Sequence, residues 1–154
     1  YFKPPSTGRN ADIWTSYLMV KISQQMGDTV TYGQPMVNQK RNKHDLWTDL
    51  SIEMLNDQAT DIFVELLRSI ELESQDYFKA LGELISKCLN EVYKMTFIPV
   101  STTDHYQFPQ KKQQEDRFYM QKDLILNFFI DYSKWVEAVN KIIGTFSPLP
   151  GTND

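Results

Sequence analysis

The sequence predicts a mainly α protein of about five helices, with one or two short strands near the N-terminus. Three observations carry that expectation. Apolar residues recur at helical spacing across 44–95 and again across 117–143. Residues of β-branched and aromatic type gather in a single run, Thr29-Val30-Thr31-Tyr32. The chain has 154 residues, enough for one core that hides roughly 70% of the unfolded surface.

The elements follow in order. Residues 1–10 read as a loop, because Pro4 and Pro5 deny helix and Ser6-Thr7-Gly8 is turn chemistry. Asn10 is placed to cap a first helix over 11–26, and Asp12 lies in its first turn, where a carboxylate suits the helix dipole. Ile13, Trp14, Tyr17, Leu18 and Ile22 share one apolar face, and Gly27 stops the helix as its C′ residue. The run 29–32 reads as a strand closed by Gly33 and Pro35, and 36–43 as a basic loop. A helix then begins at His44 with Leu46, Trp47, Leu50 and Met54 on its stripe. Asp57 or Thr60 opens a further helix with Ile62, Phe63, Leu66, Leu67 and Ile70 inside. Ser74 caps a long helix reaching about Met95, with Tyr77, Phe78, Leu81, Leu84, Ile85, Cys88, Leu89 and Val92 on its stripe. Residues 96–116 read as a long loop. An aromatic-rich last helix covers 117–143 and ends at Gly144. The expected organisation is 1–43 as loop, first helix and strand, 44–144 as a helical region, and 145–154 as a flexible tail. Among the best-buried side chains should be Trp14, Tyr17, Leu18, Leu81, Leu84, Leu89, Leu126, Phe128 and Trp135.

Charge and composition exclude several classes of function. Sixteen Lys and Arg against twenty Asp and Glu give a net charge of −4, which argues against nucleic acid as a partner. No stretch approaches the roughly 20 apolar residues of a membrane span. One cysteine, Cys88, makes an intramolecular disulfide and a multi-cysteine zinc site impossible. Its place on an apolar stripe reads as a buried structural thiol. The two histidines each adjoin an aspartate, His44-Asp45 and Asp104-His105, but adjacent residues on a helix diverge and do not chelate unaided. No nucleophile elbow and no phosphate-binding Walker loop occurs. The basic run Lys40-Arg41-Asn42-Lys43 reads either as a solvated loop or as a phosphate contact.

The opening segment concentrates the candidates. Gly8-Arg9-Asn10-Ala11-Asp12 places a flexible glycine, a guanidinium and a carboxylate at a helix N-terminus, where unpaired N–H groups favour anions. Arg9 offers a bidentate donor to phosphate or carboxylate. Asp12 is the candidate base or acceptor-orienting group for a hydroxyl. The plainer alternative is that Asp12 serves the helix start and pairs with Arg9.

Gly8-Arg9-x-Ala11-Asp12-Ile13-Trp14-x-x-Tyr17, then Gly27-Asp28, Pro35 and Arg41-Asn42-x-His44-Asp45, resembles the STELLO-type family of glycosyltransferase-like proteins, known from plants with relatives in nematodes. The likeness resumes in Asp116-Arg117-Phe118 through Asp123-Leu124, while 56–115 matches in helical character alone. The resemblance implies the C-terminal portion of a larger glycosyltransferase-like α/β protein, with residues 1–43 ending its catalytic domain. It implies a nucleotide sugar and a glycan acceptor as partners of the parent, and a Golgi or secretory lumen as its compartment. It implies Mn or Mg held upstream and no cofactor in this segment, which alone should be inactive. Asp12 would face the acceptor, with Gly8, Arg9, Arg41 and His44 binding substrate. Tyr1 in place of Met fits a chain that begins inside a longer protein or after processing. Thr15 stands where the family often has Arg, and Val20-Lys21 where a Gln-Arg pair is common. The first change removes a cationic donor and the second replaces a guanidinium with the ammonium of Lys21, and a non-catalytic helical protein-interaction module is the alternative reading.

Overall fold

The computed structural model describes residues 10–31, 33, 34, 38, 45–98 and 111–145, and of residues 51, 52, 111, 144 and 145 the backbone only. Four helices appear among them: α1 (Ala11–Gln25), α2 (Leu46–Ser69), α3 (Tyr77–Lys94) and α4 (Lys111–Thr145). Helix accounts for 81% of the structure, so the mainly α expectation holds.

Contacts that advance together along two chains fix the packing. Asn10 meets Asp57 and Trp14 meets Thr60, so α1 runs parallel to α2. Lys122 reaches the carbonyls of Tyr93 and Met95, while Phe78 meets Trp135, so α4 runs antiparallel to α3. At the centre, Trp14 stacks on Phe63 at 4.4 Å and 12°, and Phe128 closes on both rings edge-on at 5.3 and 5.2 Å. Offset stacks and edge-on pairs of this kind add to the burial energy of the rings. Leu18 and Ile22 continue the buried stripe of α1 at four-residue spacing, and Ala80, Leu84, Ile85, Cys88 and Val92 that of α3.

Several expectations are corrected. The strand at 29–31 does not form, and no strand occurs among the described residues; Tyr32 lies outside them. A single β-branched run with no partner strand cannot satisfy its backbone groups as a ladder, and Thr29, Val30 and Thr31 are exposed. Among the described residues four helices stand in place of the expected five, because α2 does not break at Asp57 or Thr60. Those residues are used for tertiary bonds instead. Asp57 accepts from the Asn10 side chain, and Thr60 donates to the Asn56 carbonyl while accepting from the Trp14 indole. No Gly or Pro lies between 46 and 69 to force a stop. Asp76 rather than Ser74 caps α3, accepting from Lys79 N at 2.8 Å. The last helix begins at Lys111, inside the expected loop, because its opening run of Lys, Gln and Glu is helix-forming. It ends one residue past Gly144. Gly27 does take the left-handed conformation, φ 79°, expected after α1.

Of the expected core, Trp14, Leu18, Leu81, Leu84 and Phe128 are buried, whereas Leu89, Leu126 and Trp135 are partly so. Ile13 and Tyr17 face outward. The larger surprise is the first half of α2: Leu46, Trp47, Leu50 and Met54 are 78, 80, 48 and 49% exposed. The core side of α2 is formed by Ala59, Phe63, Leu66 and Leu67.

Candidate functional site

The start of α1 is held by residues that the sequence motif interleaves with its candidates. Ala11 and Trp14 are fully buried and pin the first turn to α2 and α4. Asn10 is buried and occupies the cap position, but its side chain does not cap the helix. Its Nδ2 donates instead to Asp57 Oδ1 at 2.9 Å, tying the entry of α1 to the middle of α2. Trp14 is fastened a turn later by its indole N–H, which donates to Thr60 Oγ1 at 2.9 Å.

Asp12 points the other way. Its side chain is exposed, and Oδ1 accepts from the Ile13 amide at 2.9 Å. The Asp12 carbonyl accepts from Ser16 Oγ at 2.8 Å, an ordinary bond within the helix. The structure therefore offers the carboxylate to solvent at the beginning of α1, one position after one buried residue and two before another. Gly8, Arg9, Arg41 and His44, the other residues assigned to the site from the sequence, lie outside the described residues.

Thr15 has a role within the bundle. Its hydroxyl lies 2.7 Å from the Tyr132 hydroxyl and also donates to the Ala11 carbonyl, joining α1 to α4. Lys21 lines a groove of about 320 Å³ between α1 and α2 with Tyr17, Gln24 and Arg68. Asp45, beside His44 in the sequence, caps α2: Trp47 N at 3.1 Å and Thr48 Oγ1 at 2.7 Å donate to its carboxylate. The Thr48 hydroxyl first, and the Trp47 amide next, hold the Asp45 carboxyl below its ordinary value. Cys88 is fully buried on α3, and burial pushes its thiol up to about 12, which makes it an inert core residue at neutral pH.

Among the described residues no three His, Cys, Asp or Glu side chains converge as metal ligands, and no helix is long and apolar enough to cross a membrane. A groove of about 590 Å³ lies between α2 and α3. Ile62, Leu66 and Met95 line it, with the carboxylates of Asp61, Glu65 and Glu91 and with Lys94, which pairs with Glu91 at 2.7 Å. That groove and the exposed ridge of α2 escaped the sequence reading. The signal was present as a four-residue ladder of acids, Asp45, Asp49, Glu53, Asp57, Asp61 and Glu65, beside the apolar ladder Leu46, Leu50 and Met54. Comparison of the chain with family models, with curated proteins and with solved structures finds no match in any of the three.

Proposed function

We propose that this chain is the helical C-terminal part of a glycosyltransferase-like protein, and that the start of α1 completes the acceptor side of a nucleotide-sugar-dependent site. The observation that supports the reading is the division of labour inside the motif Ala11-Asp12-Ile13-Trp14. Packing accounts for Ala11 and Trp14, which are fully buried, but not for Asp12, which is exposed. In this reading the Asp12 carboxylate takes the proton of an acceptor hydroxyl as its oxygen bonds to the anomeric carbon. The bond from that carbon to the nucleoside diphosphate breaks, and the diphosphate leaves with the electron pair.

The test is transfer by the full-length parent carrying Asp12→Asn. The carboxamide oxygen can still accept from the Ile13 amide, so the fold should persist. The rate should fall by about 10² or more, the scale of a general base. Unchanged transfer would remove Asp12 from the chemistry.

The second reading, a helical protein-interaction module, is favoured by a separate observation. Leu46, Trp47, Leu50 and Met54 form an exposed apolar ridge over the first half of α2. The largest apolar patch of a typical monomer, roughly 300–600 Å², is often functional.

A further inference from the structure

We infer that the outer face of α2 is a docking surface for a cationic amphipathic helix of a partner protein. The inference deepens the interaction reading and is independent of any role for Asp12. Leu46, Trp47, Leu50 and Met54 lie roughly 180° round the helix from Ala59, Phe63 and Leu66, so they cannot share the core. Between Leu46 and Met54 this outward stripe is apolar. From residue 57 onward the same stripe carries Asp57, Asp61, Glu65 and Arg68. The change is abrupt, and it comes where Asn10, at the start of α1, meets α2 through Asp57.

Charge selects the occupant. Between 45 and 69 there are six acidic residues and one basic residue, Arg68, which pairs with Glu65 at 2.6 Å. The acids recur every four residues and so form a ridge adjoining that of Leu46, Leu50 and Met54. Beyond Met54 the surface leads to the groove between α2 and α3, where Asp61, Glu65 and the Glu91–Lys94 ion pair surround Ile62, Leu66 and Met95, so its carboxylates outnumber its cation. A helix with apolar residues at i, i+3, i+4 and i+7 would lay them on Trp47, Leu50 and Met54. Lysines or arginines beside that stripe would meet the acidic ridge, and one near its end would reach the groove. A second copy of this chain fits poorly, because joining two such ridges brings twelve carboxylates together around one small apolar contact.

The experiment is calorimetric titration of the full chain with a helical leucine–lysine peptide about 14 residues long, its leucines on one face. A leucine–glutamate peptide of the same pattern is the control. The cationic peptide should bind with a dissociation constant on the order of micromolar, and the acidic one at least about tenfold more weakly. Replacing Trp47 and Leu50 together by serine should weaken the cationic peptide by about tenfold or more, with the helical circular dichroism unchanged. Asp61→Lys should weaken it without affecting the fold. Absence of binding, equal binding of the two peptides, or indifference to the serine pair would overturn the inference. So would a dimer of the free chain in sedimentation that the serine pair dissolves, since a second copy would then be the occupant. Loss of transfer in Asp12→Asn with peptide binding intact separates this surface from the α1 site.

Discussion

At the scale of single residues, side chains of one type meet opposite fates here. Trp14 and Trp47 both stand at helical spacing among apolar neighbours, yet one is fully buried and the other 80% exposed. The burial of Trp14 was legible because Leu18 and Ile22 repeat its register at every fourth position. Trp47 was misread because a stripe shows that a face is apolar and does not show what it faces. Thr60 shows the same limit for polar residues. It looks like a cap in the sequence and instead receives the Trp14 indole in the middle of α2. Thr60→Val keeps the shape and removes the acceptor, leaving a buried indole N–H without its partner. We expect a loss of about 1–3 kcal/mol in urea unfolding. A change under about 0.5 kcal/mol, the range of ordinary surface substitutions, would show that the bond carries little.

At the scale of elements, α3 was the most legible and α2 the least. Leu81, Leu84, Ile85, Cys88 and Val92 make one stripe on α3, and all are buried. The sequence of α2 carries two opposed apolar stripes, and each was assigned to a helix of its own. Its acids at four-residue spacing also oppose helix formation, by about 0.2–0.5 kcal/mol for each like-charged pair on an exposed face. Packing of Phe63, Leu66 and Leu67 keeps the helix whole. Site residues Gly8, Arg9, Arg41 and His44 were proposed from chemistry and motif, and only the placement of Asp12 is on view.

The link from α2 to α3 is held by one carboxylate. Glu83 accepts from the amides of Glu73 and Ser74 at 3.0 Å each, and Lys87 Nζ lies 2.7 Å away. The Lys87 bond first, then the Ser74 amide, hold Glu83 below its ordinary value of 4.5. A carboxyl depressed in the folded state stabilises it above the unfolded value, and that stabilisation disappears as the pH falls through the folded value. Amide exchange at Glu73 and Ser74 should therefore be slow at neutral pH and accelerate below about pH 4.5 relative to the rest of α3. Glu83→Gln should remove that pH dependence. Equal exchange at pH 3 and pH 6, after correction for the intrinsic rate, would mean that Glu83 does not hold the link.

At the scale of the whole molecule, the bundle spends its apolar residues unevenly. One aromatic cluster, Trp14, Phe63, Phe128, Phe129 and Tyr132, joins α1, α2 and α4. The first half of α2 keeps four large apolar side chains out of that core. Asp12 is likewise exposed at the first turn of α1, whose cap residue meets α2 at Asp57, just beyond the ridge. Both proposed surfaces thus depend on side chains that folding does not need. The most direct measurement of that claim is the unfolding free energy of the chain with Trp47 and Leu50 both replaced by serine, set beside Leu84→Ala. The serine pair should change stability by no more than about 0.5 kcal/mol, while Leu84→Ala, at a fully buried site, should cost about 2–5 kcal/mol. A loss for the serine pair as large as that for Leu84→Ala would place the ridge in the core and contradict a surface kept for a partner.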